Sequence, residues 1–84
     1  KLVAAQGDAY AQSALGIMYS KGIGIPQDRV KAYLWYTVSN DSGFKLSAQY
    51  RDQIAEKMTP EDISKGQEMA SKCIEFKYKN CGEY

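Results

Sequence analysis

Eighty-four residues, 44% of them apolar, make one small domain, whose single core supplies only a few kcal/mol of net stability and calls for a covalent staple or a neighbouring segment. Eleven basic against ten acidic side chains leave a net charge of +1, which gives no broad field for nucleic acid or an anionic membrane. His is absent, and with it the side chain best suited to proton transfer at neutral pH and the commonest metal ligand.

The chain opens Lys1-Leu2-Val3-Ala4-Ala5-Gln6-Gly7, with no initiator Met and no apolar h-region, so it is expected to be processed or a piece of something longer. Apolar spacing is helical almost throughout, and no segment alternates with period two. A first helix is expected from Asp8, whose carboxylate can cap the first free N–H groups. Ala11, Leu15, Met18 and Tyr19 then share one face. Gly22 and Gly24 end this helix, because glycine takes the left-handed conformation that a helix C-terminus commonly needs. Pro26 blocks continuation and Asp28 caps a second helix running to about Asn40. Val30, Leu34 and Val38 line one of its faces, while Tyr33, Trp35 and Tyr36 carry apolar contact around the cylinder, so this helix should be covered on two sides.

Asn40, Asp41, Ser42 and Gly43 form a turn cluster. A third helix is expected from about Phe44, with Ala48, Ile54, Ala55 and Met58 inward. Thr59 caps a fourth, Pro60 sits where its missing N–H costs nothing, and Asp62 completes a weak capping box. Ile63, Gly66, Ala70, Cys73, Ile74 and Lys77 mark its inward stripe. Gly66 costs up to ~1 kcal/mol against Ala in a helix interior, and close helix packing is the expected reason for it. Internal repetition accompanies these elements. Gly7 and Gly43 are 36 residues apart, Ala11-Gln12 recurs as Ala48-Gln49, and Asp28 and Asp62 are 34 apart. Residues 1–7 match the end of the second helix in character and read as the tail of an earlier unit.

Cys73 and Cys81 are the only cysteines. Without His, and at a spacing unlike Cys-x-x-Cys, they are a poor zinc site. An even count in so small a chain favours a disulfide and an oxidising compartment, two free thiols being the alternative. Other chemical readings are weaker. Gly22-Ile23-Gly24 follows a helix rather than a strand, unlike a phosphate-cradling loop. Asp52 and Glu56 lack an apolar surround and have Arg51 and Lys57 beside them, so they read as a solvated face rather than an acid–base pair. Ser13, Ser20 and Ser47 have no His, leaving only Lys21 or Lys45 as an activating base. Lys72, Lys77 and Lys79 form a small solubilising basic end.

Taken together, Gly7-Asp8-Ala9, Leu15-Gly16, Met18-Tyr19, Gly22-x-Gly24-x-Pro26-Gln27-Asp28, Lys31-Ala32 and Trp35-Tyr36 resemble the Sel-1-like repeat family of tetratricopeptide-like solenoids. The resemblance implies an all-α, α/α solenoid of antiparallel helix pairs. Residues 1–7 would then be the tail of a preceding repeat, 8–43 one repeat, and 44–84 a degenerate pair that closes a bacterial array. It also implies a disulfide between Cys73 and Cys81, since cysteine-bearing members join positions i and i+8, and with it a periplasmic or secreted setting. The small and large residues Leu15, Gly16, Ala32 and Tyr36 stand where helices of such a repeat interlock.

The function expected from this likeness is a non-catalytic scaffold that binds a protein or peptide, without cofactor, metal, nucleic acid or membrane span. The alternatives are a cell-wall-related small-ligand binder or hydrolase of the cysteine-bearing type, or a purely structural array cap. Tyr and Trp are enriched at contact hot spots, although Tyr19, Trp35 and Tyr36 are expected mostly to fill space between helices. Tyr10, Ser13 and Ile17 lie opposite the Leu15 stripe. In solenoids of this kind the first helices line the concave side, so Tyr50, Gln53 and Lys57 should continue that surface.

Overall fold

The computed structural model describes residues 8–78 and residue 81. Among the described residues four helices follow one another: α1 (Ala9–Lys21), α2 (Arg29–Asp41), α3 (Leu46–Ala55) and α4 (Pro60–Glu75). Among the described residues there is no strand. The expected tail at residues 1–7 and Lys79 of the basic end lie outside the described residues.

The starts of α1, α2 and α4 follow from their caps. Asp8 accepts from the N–H of Ala11 at 2.9 Å, Asp28 from that of Lys31 at 3.1 Å and Thr59 from that of Asp62 at 3.1 Å. Each satisfies a donor that the first turn leaves without an intrahelical partner. Gly22 (φ +69°) ends α1 in the left-handed region, and the N–H groups of Gly22 and Ile23 both reach the Met18 carbonyl. The next two carbonyls are taken by the returning chain: Tyr19 accepts from the N–H of Asp28 at 2.9 Å and Ser20 from the Gln27 amide at 2.8 Å. The turn is thereby tied to the helix it terminates. α3 begins at Leu46, two residues later than expected, because Gly43 (φ +121°) and the turn through Lys45 come first.

α2 is the hub, with α1, α3 and α4 all packed on it. Its sides feed two apolar clusters. Leu34, Trp35 and Val38 meet Met69, Ala70 and Cys73 of α4, with Ala11, Leu15 and Tyr19 of α1 at the margin. Ala32, Tyr33 and Tyr36 meet Ile54 of α3, with Ile17, Tyr50 and Ile63 at the margin. Leu34 and Val38 are fully buried, and each contributes roughly 1.5–3 kcal/mol by leaving water. The second helix is therefore covered on two sides, as its all-round apolar pattern predicts.

The inward assignments change in α1 and α4. In α1 the most buried residues are Gln12, Ser13 and Gly16, while Ala11, Leu15, Met18 and Tyr19 are half-buried. Small side chains let α1 approach α2 closely, and that contact outweighs the larger apolar stripe. In α4 the buried line includes Met69, and Lys77 is exposed beyond the helix end. Gln12 is fully buried whereas Gln49 is exposed, so the two Ala-Gln pairs do not occupy equivalent environments.

α4 ends in a turn that brings the chain back. Lys77 (φ +57°) and Tyr78 (φ +70°) are left-handed, the Tyr78 N–H donates to the Cys73 carbonyl at 2.7 Å, and its hydroxyl accepts from Ser42 at 3.1 Å. Cys81 returns to within 4.9 Å of Cys73, Cα to Cα, and the two form a disulfide. A straight helix would separate them by ~12 Å, so the reversal after Glu75 is what makes the bond possible.

Candidate functional site

The end of α1, the turn before α2 and the outer side of α3 enclose an open groove of about 400 Å³. Its floor is aromatic and aliphatic: Tyr36 from α2, Tyr50 and Ile54 from α3, and Ile17 from α1. The Tyr36 and Tyr50 rings lie 5.6 Å apart, centroid to centroid, at 55°, within the tilted geometry that aromatic pairs prefer. Gln27 and Gln53 supply amides at the wall, and Lys21, Arg29 and Lys57 supply cations. Among the described residues no Asp or Glu lines the groove.

Each element contributes for a local reason. Gly16 stands opposite Tyr36, where an added Cβ would lie 2.6 Å from ring carbons Cδ1 and Cε1. Its lack of a side chain lets the Tyr36 ring lie flush against α1 and form the floor. Lys21 and Arg29 flank the Gly22–Asp28 turn, so the reversal brings both charges to one edge. Burial pushes the Tyr36 phenol above its ordinary pKa; a hydrogen bond with Ser20 opposes that rise, and the Tyr50 phenol adds to it. At neutral pH the Tyr36 phenol is therefore uncharged and does not offset the cations around it.

The residues singled out in the sequence divide. Ile17, Tyr50, Gln53 and Lys57 all line the groove. Tyr10 is 72% exposed and stacks on Phe44 at 4.7 Å, ring to ring, away from the groove lining. Ser13 is only 3% exposed and does not line the groove. It sits on the side of α1 that closes against the core. Lys21, Arg29 and Gln27 were not foreseen as contact residues; the signal available was a pair of cations bracketing a helix-reversing turn. Tyr36 was assigned to packing, and it both packs and forms the floor.

The chemical alternatives meet specific partners. Ser47 is fully buried, and its hydroxyl donates to Ser39 Oγ at 2.8 Å. Asp52 is held by Arg51 at 3.1 Å on an exposed face. Among the described residues no group of three or more His, Cys, Asp or Glu side chains could hold a metal ion, and no helix is long and apolar enough to cross a membrane.

Comparison with protein families gives one finding: the family model described as Sel1 repeat matches residues 9–44. That segment spans α1, the glycine turn, α2 and the chain as far as Phe44. Comparison with curated proteins gave no match.

Proposed function

With residues 9–44 a Sel1 repeat within an all-α, solenoid-like fold, we propose that this protein is a non-catalytic interaction module that grips a protein or peptide partner in the groove between α1 and α3. Sel1 repeats are generally protein–protein interaction modules. The observation that carries the reading is the convergence of Ile17, Tyr50, Gln53 and Lys57 with Tyr36 on one concavity. Tyrosine offers a large contact area at low entropic cost. We further propose that residues 44–84 act as the closing helix pair of a longer bacterial array. The cysteine bridge supports an oxidising, extracytoplasmic setting, and we assign the protein to the periplasm or the exterior.

Site-specific photocrosslinking tests the contact surface. A photoreactive side chain at Gln53 should yield adducts with the partner, whereas one at Ser64 on α4 should not. Unmodified protein in excess should compete the Gln53 adducts away, and Tyr50→Ala should reduce capture while helicity stays normal. Equal adducts from both positions, or capture that survives Tyr50→Ala undiminished, would overturn the assignment of this groove.

A further inference from the structure

We propose that the groove selects an acidic peptide segment, seating an apolar or aromatic side chain on the tyrosine floor and carboxylates against Lys21, Arg29 and Lys57. The inference rests on the groove being the contact surface, and it adds the chemistry of the partner.

Charge is the first argument. The whole chain carries a net charge of +1, yet among the described residues the groove wall holds three cations and no carboxylate. The three come from three elements: Lys21 ends α1, Arg29 begins α2 and Lys57 follows α3. Among the described residues the ion pairs are Arg51 with Asp52 and Lys72 with Glu68, so none of the three is paired within the fold. The nearest acids in sequence point to other tasks. Asp28 caps α2 through the Lys31 N–H, Asp52 holds Arg51, and Glu56 and Glu61 are exposed outside the lining. Such a field attracts an oppositely charged segment and repels a basic one.

Shape and polarity are the second. The aromatic pair gives an apolar seat, and the Gln53 amide at its rim can both donate to and accept from a peptide backbone. A volume of about 400 Å³ suits a few residues of extended chain rather than a whole helix. The same size and the near-neutral total charge disfavour a nucleic acid, whose binding is dominated by neutralising many phosphates.

Selection from a random peptide display library on the disulfide-bonded protein tests this, followed by chemical-shift mapping of the enriched peptides. Enriched sequences should be rich in Asp and Glu around a Phe, Tyr, Trp or Leu and should shift Ile17, Tyr50 and Gln53. Their affinity should fall with added salt. Lys21→Gln, Arg29→Gln and Lys57→Gln should each weaken binding about threefold, the scale of one exposed charge pair. Neutral or basic peptides that shift the same groove residues would overturn the acidic preference and leave the groove as the contact surface. Peptides that map elsewhere, or a library that yields none, would overturn both. A thymidine oligonucleotide bound as tightly as the best peptide would overturn the choice of a peptide. So would concentration-dependent self-association, measured by sedimentation, that the three charge substitutions abolish.

Discussion

At Gly16 a single missing side chain makes room for a neighbouring ring. Tyr36 fills the space its Cβ would take, with ring carbons at 2.6 Å, and the residue is only 4% exposed. Gly16→Ala gains helix propensity, worth up to ~1 kcal/mol, but overpacking a filled contact costs roughly 1–3 kcal/mol. The expected outcome is a net loss of stability, read as a melting midpoint lower by several degrees. Shrinking the opposing ring with Tyr36→Leu should reduce that penalty in the double variant. An unchanged midpoint in Gly16→Ala would mean that the ring can move aside, and the floor of the groove with it. Gly66 meets Tyr33 in the same way, with its Cβ position 2.8 Å from Cδ1. Two glycine–tyrosine contacts thus dock α1 and α4 on α2.

Between elements, a short chain of hydroxyls does what apolar packing alone does not. Ser39 of α2 donates to the Ala9 carbonyl of α1 at 2.6 Å and accepts from Ser47 of α3 at 2.8 Å. Both serines are fully buried, so one hydroxyl pair fixes three helices. Ser39→Ala strands the Ser47 hydroxyl out of water and should cost about 1–3 kcal/mol. Ser47→Ala leaves the Ser39 donation intact and should cost about 1 kcal/mol or less. Denaturant melts of the two variants check the order, and a larger loss for Ser47→Ala would refute this account. The turn between α1 and α2 makes a different demand. Gly24 holds φ +75° with open space where a Cβ would go, so Gly24→Val should lose only the backbone term, about 1–2 kcal/mol. Gly24→Asn should lose less, because Asn tolerates the left-handed region. Equal midpoints for wild type and the Val variant would show that this turn does not need a left-handed residue.

At the scale of the molecule, a domain of this size has little surplus stability, and the Cys73–Cys81 bridge supplies part of it. The bond closes a short loop and pins a turn in which two consecutive non-glycine residues are left-handed. Restricting the unfolded chain in this way is worth roughly 2–3 kcal/mol. Reduction, or Cys81→Ser, should therefore lower the melting midpoint by about 10 °C or more, at ~4–8 °C per kcal/mol for a domain of this length. Intact mass after alkylation, with and without reductant, checks the bond itself. Two alkylated thiols in protein prepared under oxidising conditions and never reduced would remove both the bond and the extracytoplasmic assignment.

Helices, caps and the reversing turn were legible in the sequence because their causes are local. Asp8, Asp28 and Thr59 act within three residues of themselves, and Gly22 and Gly24 answer to their own φ angles. The two-sided burial of α2 was legible too, since an all-round apolar helix leaves no other solution. The inward face of α1 was not. Its apolar periodicity pointed to Leu15 and Met18, but the distance between α1 and α2 depends on whether Gly16 and Tyr36 meet, a contact 20 positions apart along the chain. Ser13 is buried on the same helix, and Tyr10 lies against Phe44 outside the groove lining. The groove's charge was equally a tertiary product. Lys21, Arg29 and Lys57 look like ordinary solvated cations one by one, and only the packing of α1 and α3 against a common helix brings them around the same tyrosines.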